Sequence, residues 1–147
     1  QENLNIDAVT GKSINAIRDF TGRGTLVRGA RTNDGNGFDW RYVNVRRLAI
    51  SLETDIGLAL QAYVFKPNTP ITWREIKTMI ESYLHGLYEQ GAFAGTSPKE
   101  SYQVLIGVGE TMTDQDLLNG CMRVTIQVAP VRPAEFIVLT FSQMMES

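Results

Sequence analysis

The stretch DWRYVNVRRLAISLETDIGLALQAYV, residues 39–64, decides the fold. Val45, Leu48, Ala49, Leu52, Ile56, Ala59, Leu60 and Tyr63 recur at spacings of three and four, which lays them on one face of an α-helix. Asp39 stands where an N-cap carboxylate belongs, and Pro67 and Pro70 end the periodicity, so the pattern predicts a helix from Asp39 to about Val64. A second helix follows. Thr72-Trp73-Arg74-Glu75 has the form of a capping box, and Trp73, Ile76, Ile80, Tyr83, Leu84 and Leu87 make an apolar stripe. Gly91 stops this helix just after Gln90.

Strand patterns flank the helix pair. Ile14–Phe20 and Thr25–Thr32 read as short strands separated by Thr21-Gly22-Arg23-Gly24, and the run from Asn33 to Gly37 is a turn cluster. Downstream, Tyr102–Val108 reads as a strand, and Thr113-Asp114-Gln115-Asp116 opens a short helical turn that ends at Gly120. Met122–Val128 then alternates apolar and polar residues as a half-buried strand does. Pro130 and Pro133 bracket a corner at Val131-Arg132, and Phe136–Phe141 forms a last strand. The order predicts an α+β domain, a mixed or antiparallel sheet with two long helices packed on one face. Leu52, Ile56, Ile76, Ile80 and Leu87 are expected between helices and sheet. The prolines turn the corner, and Arg132 and Glu135 are expected to hold it, or a subunit contact, through charge-assisted hydrogen bonds.

A chain of 147 residues with 43% hydrophobic and 20% charged residues fits one soluble globular domain, with no need of disulfide staples. The net charge of -2 gives no general argument for nucleic acid or an anionic membrane, and no stretch has the apolar length to span a bilayer. Charge is nonetheless unevenly spread: Arg18, Arg23, Arg28, Arg31, Arg41, Arg46 and Arg47 all fall in the first third. Arg41, Arg46 and Arg47, near the first helix start, support a second reading as a nucleic-acid-binding α+β module. The plainer alternative is that they bridge to acidic neighbours. The chain opens on Gln1 without a signal peptide, which suggests a piece of a longer polypeptide.

No catalytic constellation emerges. Cys121, the lone cysteine, sits before an apolar run and reads as a buried, inert thiol. His85, the lone histidine, reads as a helix-surface or packed imidazole; one Cys and one His do not make a zinc site. Asp34, Asn36 and Asp39 partly resemble a calcium loop, but Asp39 occupies the position where such a loop needs Gly, and no Glu closes it. Gly22-Arg23-Gly24 and Gly107-Val108-Gly109 lack the remainder of a phosphate-binding loop. Asp114 and Asp116 are accounted for by capping and the helix dipole. No metal and no cofactor are expected, and the chain does not read as an enzyme.

Five segments in order resemble the phage tail sheath proteins. They are Ile14-Asn15-Ala16-Ile17-Arg18 with Gly22-Arg23-Gly24; Gly29-Ala30-Arg31-Thr32; Asp39 to Leu48; Met112-Thr113 through Gly120; and Val128 to Leu139. Two departures are Arg28, where the family often has Trp, and Cys121-Met122, where Arg-Leu or Lys-Leu is common. The resemblance implies that residues 1–147 are one tail sheath C-terminal core domain with a C-terminal arm at 138–147. It also implies a structural subunit that polymerises helically around an inner tube and contracts to drive that tube through a target envelope. The implied partners are other sheath subunits in stacked hexameric discs, the inner tail tube protein, and baseplate and terminator proteins, with no membrane and no nucleic acid bound directly. The implied setting is a virion tail or phage-tail-like particle assembled in the bacterial cytoplasm. Strand exchange between subunits is expected at Leu139, Thr140, Phe141, Ser142, Gln143 and Met144. Because surface ion pairs are individually weak and releasable, a tube contact is expected at Asp114 and Asp116, with Arg41, Arg46 and Arg47 as the next place to look.

Overall fold

A computed structural model describes residues 10–34 and 37–133. Its element order is β1 (Ala16–Phe20), β2 (Gly24–Arg28), α1 (Val43–Gln61), α2 (Pro70–Glu89), α3 (Pro98–Ser101), β3 (Tyr102–Leu105), α4 (Asp114–Leu118) and β4 (Thr125–Val128). The class is α+β. Among the described residues the strands form two antiparallel pairs, β1–β2 and β3–β4. The expected last strand, Phe136–Phe141, lies outside the described residues.

Helix α1 begins later than its apolar period suggests. Asp39 is not its cap; the N-cap is Tyr42, in an extended conformation and with no side-chain cap bond. The reason is a competing backbone pairing. Thr32 N–H donates to the Arg41 carbonyl (2.7 Å), Val43 N–H donates to the Ala30 carbonyl (3.0 Å), and the Thr32 hydroxyl donates to the Trp40 carbonyl (2.7 Å). Groups that a helical turn at 39–42 would need are thus held by residues 30–32.

Helix α2 begins earlier than its capping-box signature suggests. Pro70 takes the first helical position after Thr69, where a missing N–H costs nothing and φ is already set. Thr72 is therefore inside the first turn and buried, 3.5 Å from the Thr69 hydroxyl, and Glu75 pairs with Lys66 at 3.5 Å. At the other end Gly91 adopts φ 79°, Gly91 N–H donates to Tyr88 O and Ala92 N–H to Leu87 O, a full Schellman stop.

Leu52 and Ile56 of α1 share one hydrophobic cluster with Ile76, Ile80 and Leu84 of α2, Phe93, Val104 of β3, Ile106 and Met112. Leu87, Ile126, Val128, Met122 and Val124 pack on it while half-buried. Ile76, Ile80 and Leu84 are fully buried, each worth roughly 1.5–3 kcal/mol of transfer free energy. β3 and β4 pair from Tyr102↔Val128 to Leu105↔Thr125. The Asp55 carboxylate of α1 accepts from the Tyr83 hydroxyl of α2 at 2.5 Å, and this hydroxyl is raised to about 12 by burial first and by Asp55 second.

Cys121 is exposed, against expectation. It follows Gly120 in a second Schellman stop, where Gly120 N–H donates to Leu117 O and Cys121 N–H to Asp116 O. That motif engages the Cys121 backbone and leaves its side chain outside the core.

Candidate subunit interface

The β1–β2 hairpin is the most exposed part of the described chain. Its register runs from Ala16↔Arg28 to Phe20↔Gly24, closed by Arg23 N–H donating to Phe20 O. All of β2 is exposed and so is the middle of β1, including Ile17 and Val27. A two-stranded ribbon with both faces in water buries little of its own apolar surface and is marginal alone. Among the described residues its outer edges are unpaired, and edges of that kind accept another strand. Asn15 fixes its base: the side-chain amide donates to Arg31 O (2.7 Å) and its carbonyl accepts from Arg31 N–H (3.0 Å). Gly29, at φ 124°, lies so close that a Cβ there would meet Asn15 Oδ1 at 2.6 Å.

The start of α1 carries the arginines singled out by sequence. The Arg41 guanidinium lies 4.9 Å from the Phe38 ring centre and that of Arg46 5.0 Å from Trp40, while Arg47 is exposed. Phe38 and Trp40 are themselves exposed, at 72% and 44%. Arg41 Nε is buried with no hydrogen-bond partner among the described residues. No carboxylate among the described residues pairs with Arg41, Arg46 or Arg47, so the bridges to acidic neighbours anticipated as the plain alternative do not form there.

Within the described residues, the corner at Val131-Arg132-Pro133 is held mainly by backbone bonds. Asn44 Nδ2 donates to Val131 O (2.8 Å), Val131 N–H to Ala92 O (3.2 Å), and Phe93 bridges Pro130. Arg132 is half-exposed and 3.8 Å from the exposed Asp39 carboxylate, too far for a charge-assisted hydrogen bond. Among the described residues, backbone pairing fastens the corner, with Asn44 as its side-chain tie. Glu135 and the strand-exchange set Leu139–Met144 lie outside the described residues.

The two aspartates of α4 divide in role. Asp116 closes a capping box with Thr113 and receives Arg123 Nη2 at 3.1 Å. The Thr113 amide and hydroxyl, then Arg123, hold the Asp116 carboxyl below its usual range. Asp114 is exposed and stands outside that network. Of the two, Asp116 is tied into the cap, and Asp114 has no ion pair among the described residues. A groove of about 620 Å³ runs along Trp40, Val45, Leu48 and Leu52 to Val128 and Pro130. At the far end of α1, Phe65 is fully exposed in the left-handed region at φ 69°, which no residue pattern announced. Among the described residues no cluster of three or more His, Cys, Asp or Glu is placed to hold a metal, and no helix is long and apolar enough to cross a membrane.

Three solved structures are similar to the whole arrangement. A chain in the 6-fold symmetrised baseplate of the anti-feeding prophage is 47% identical with a TM-score of 0.84, over 93% of this chain and 38% of that one. A chain in the contracted sheath complex of the PVC extracellular contractile injection system is 46% identical, TM-score 0.85, over 91% and 38%. A chain in the contracted helical sheath of the anti-feeding prophage is 48% identical, TM-score 0.82, over 88% and 36%. The chain thus spans little more than a third of the length of the solved relatives it matches. No curated protein matches it. The family model for the phage tail sheath C-terminal domain matches residues 36–144, most of the sequence, and the chain belongs to that family.

Proposed function

We propose that the chain is the core domain of a structural subunit in a contractile injection sheath, a polymer that surrounds an inner tube and shortens to drive it through a target envelope. The observation that carries this reading is the exposed β1–β2 hairpin in a chain nearly half identical to sheath subunits. A ribbon with apolar residues outward and open edges gains most from strands supplied by neighbouring copies. Leu139–Met144 is the segment proposed to supply one of them. Such head-to-tail contacts do not close on themselves and so build helical polymers. The role is mechanical rather than enzymatic: the work comes from the free-energy difference between two packings of the same subunits. The tube protein, baseplate and terminator are the proposed partners, in a phage-tail-like particle assembled in the bacterial cytoplasm.

Negative-stain microscopy of the full-length protein tests the reading. Striated tubes or stacked discs are expected. A protein that stays monomeric at all concentrations and salts overturns it.

A further inference from the structure

We propose that the Arg46–Arg47 face at the start of α1 receives the Glu110–Asp114 end of a second copy of this chain. The proposal rests on the sheath reading and names one contact within it.

Three observations converge. The first is a local rule broken without local compensation. A helix N-terminus carries a partial positive charge and favours acids. The first turn of α1 has none, and Arg46 and Arg47 follow at once, with Arg41 just upstream. By contrast α4 opens on Asp114 and Asp116, as the dipole prefers. Arginines of the wrong sign for a helix start, with Arg41 and Arg46 lying over exposed aromatics and all three unpaired with carboxylates among the described residues, have the make-up of an interface anchor.

The second is charge complementarity along the molecule. Between residues 10 and 47 eight cations stand against three carboxylates, while between 48 and 133 nine carboxylates stand against six cations. Glu110 and Asp114 are exposed carboxylates of the acidic part, and neither is in an ion pair among the described residues.

The third is placement. The segment bearing Glu110 and Asp114 is tied to the far end of α1: Asn68 Nδ2 donates to Cys121 O, and Gly120 and Met122 line a groove with Leu60 and Phe65. Arg46 and Arg47 lie at the other end, beside the corner that Asn44 fastens. Nineteen residues of helix separate the two ends by about 28 Å. Opposite charges at opposite ends, each with an exposed aromatic (Phe65 at one, Trp40 at the other), join copy to copy head to tail.

Two charge-reversed full-length proteins test this, Arg46→Glu/Arg47→Glu and Glu110→Lys/Asp114→Lys. Each alone is expected to lose at least tenfold in polymer yield. An equimolar mixture is expected to polymerise, because in each junction an acidic surface then meets a basic one, in strict alternation. The combined fourfold variant is expected to polymerise alone. Arg46→Glu/Arg47→Glu is also expected to melt no lower than wild type, since it restores the sign the helix start prefers. Wild-type-like polymers from either reversed protein alone overturn the proposal. So does a mixture that stays monomeric, or reversed proteins that form sheaths but release the tube, which would make the tube the partner. A wild-type protein that never polymerises fails the sheath reading itself.

Discussion

The Tyr83 hydroxyl donates to the Asp55 carboxylate across 2.5 Å and thereby links the outer sides of α1 and α2. The bond favours the neutral phenol, whose folded value of about 12 lies above the ordinary 10. Its contribution is therefore complete below pH 10 and declines as pH rises from about 10 to 12. Tyr83→Phe is expected to lose about 1 kcal/mol at pH 7 in urea unfolding and to flatten the alkaline decline. A decline of wild-type size in the variant would place the titrating group elsewhere.

Ile80 is fully enclosed by the helix pair and the β3–β4 strands. Ile80→Ala is expected to cost roughly 2–5 kcal/mol, through lost transfer energy and the cavity left behind. An unchanged melting temperature would contradict the packing of α2 on β3.

Asp116 titrates below its usual range because the Thr113 amide and hydroxyl and then Arg123 favour its charged form. The α4 capping box is thus fully formed above the ordinary carboxylate range and is lost as pH falls through the depressed value. The protection of the Gln115–Asn119 amides against hydrogen exchange, relative to the intrinsic rate, should fall in acid before that of the core. Asp116→Asn should show that loss of protection already at pH 7, and Asp114→Asn should not.

Truncation after Thr140 is expected to leave a folded domain that cannot polymerise, because it removes Phe141–Met144, most of the proposed exchange segment, and leaves the described core intact. Tubes of normal length from the truncated protein would exclude Leu139–Met144 as the joining strand.

Asn15→Ala is expected to expose Arg23 at the hairpin tip to trypsin at least several-fold faster, with little change in global melting, since the hairpin is largely outside the core. A large drop in melting temperature would mean that the hairpin supports the core.

The helix pair was legible in sequence because burial repeats at its own period: Ile76, Ile80 and Leu84 mark α2 whatever the surroundings. Its ends were less legible, because tertiary pairing set them. Nothing local in Trp40-Arg41-Tyr42 says that Ala30 and Thr32 hold its backbone, and the Thr72-to-Glu75 signature was outcompeted by the preorganised Pro70. β4 was readable from its alternation, whereas the exposure of Ile17 and Val27 was not. A β-branched residue facing water carries the same letter as one facing a core. At the candidate interface, sequence flagged both aspartates of α4 alike; only the geometry of Thr113 and Arg123 separates the tied one from the free one.

The two bonds from Asn15 to Arg31 continue directly into the backbone bonds from Ala30 and Thr32 to Val43 and Arg41, and so to the first turn of α1. A pull on the hairpin from a neighbouring strand would reach the helix through this series of short bonds, not through a slack loop. Under the proposed strand exchange, a hairpin fastened in this way would serve as a handle by which the subunit turns as one body.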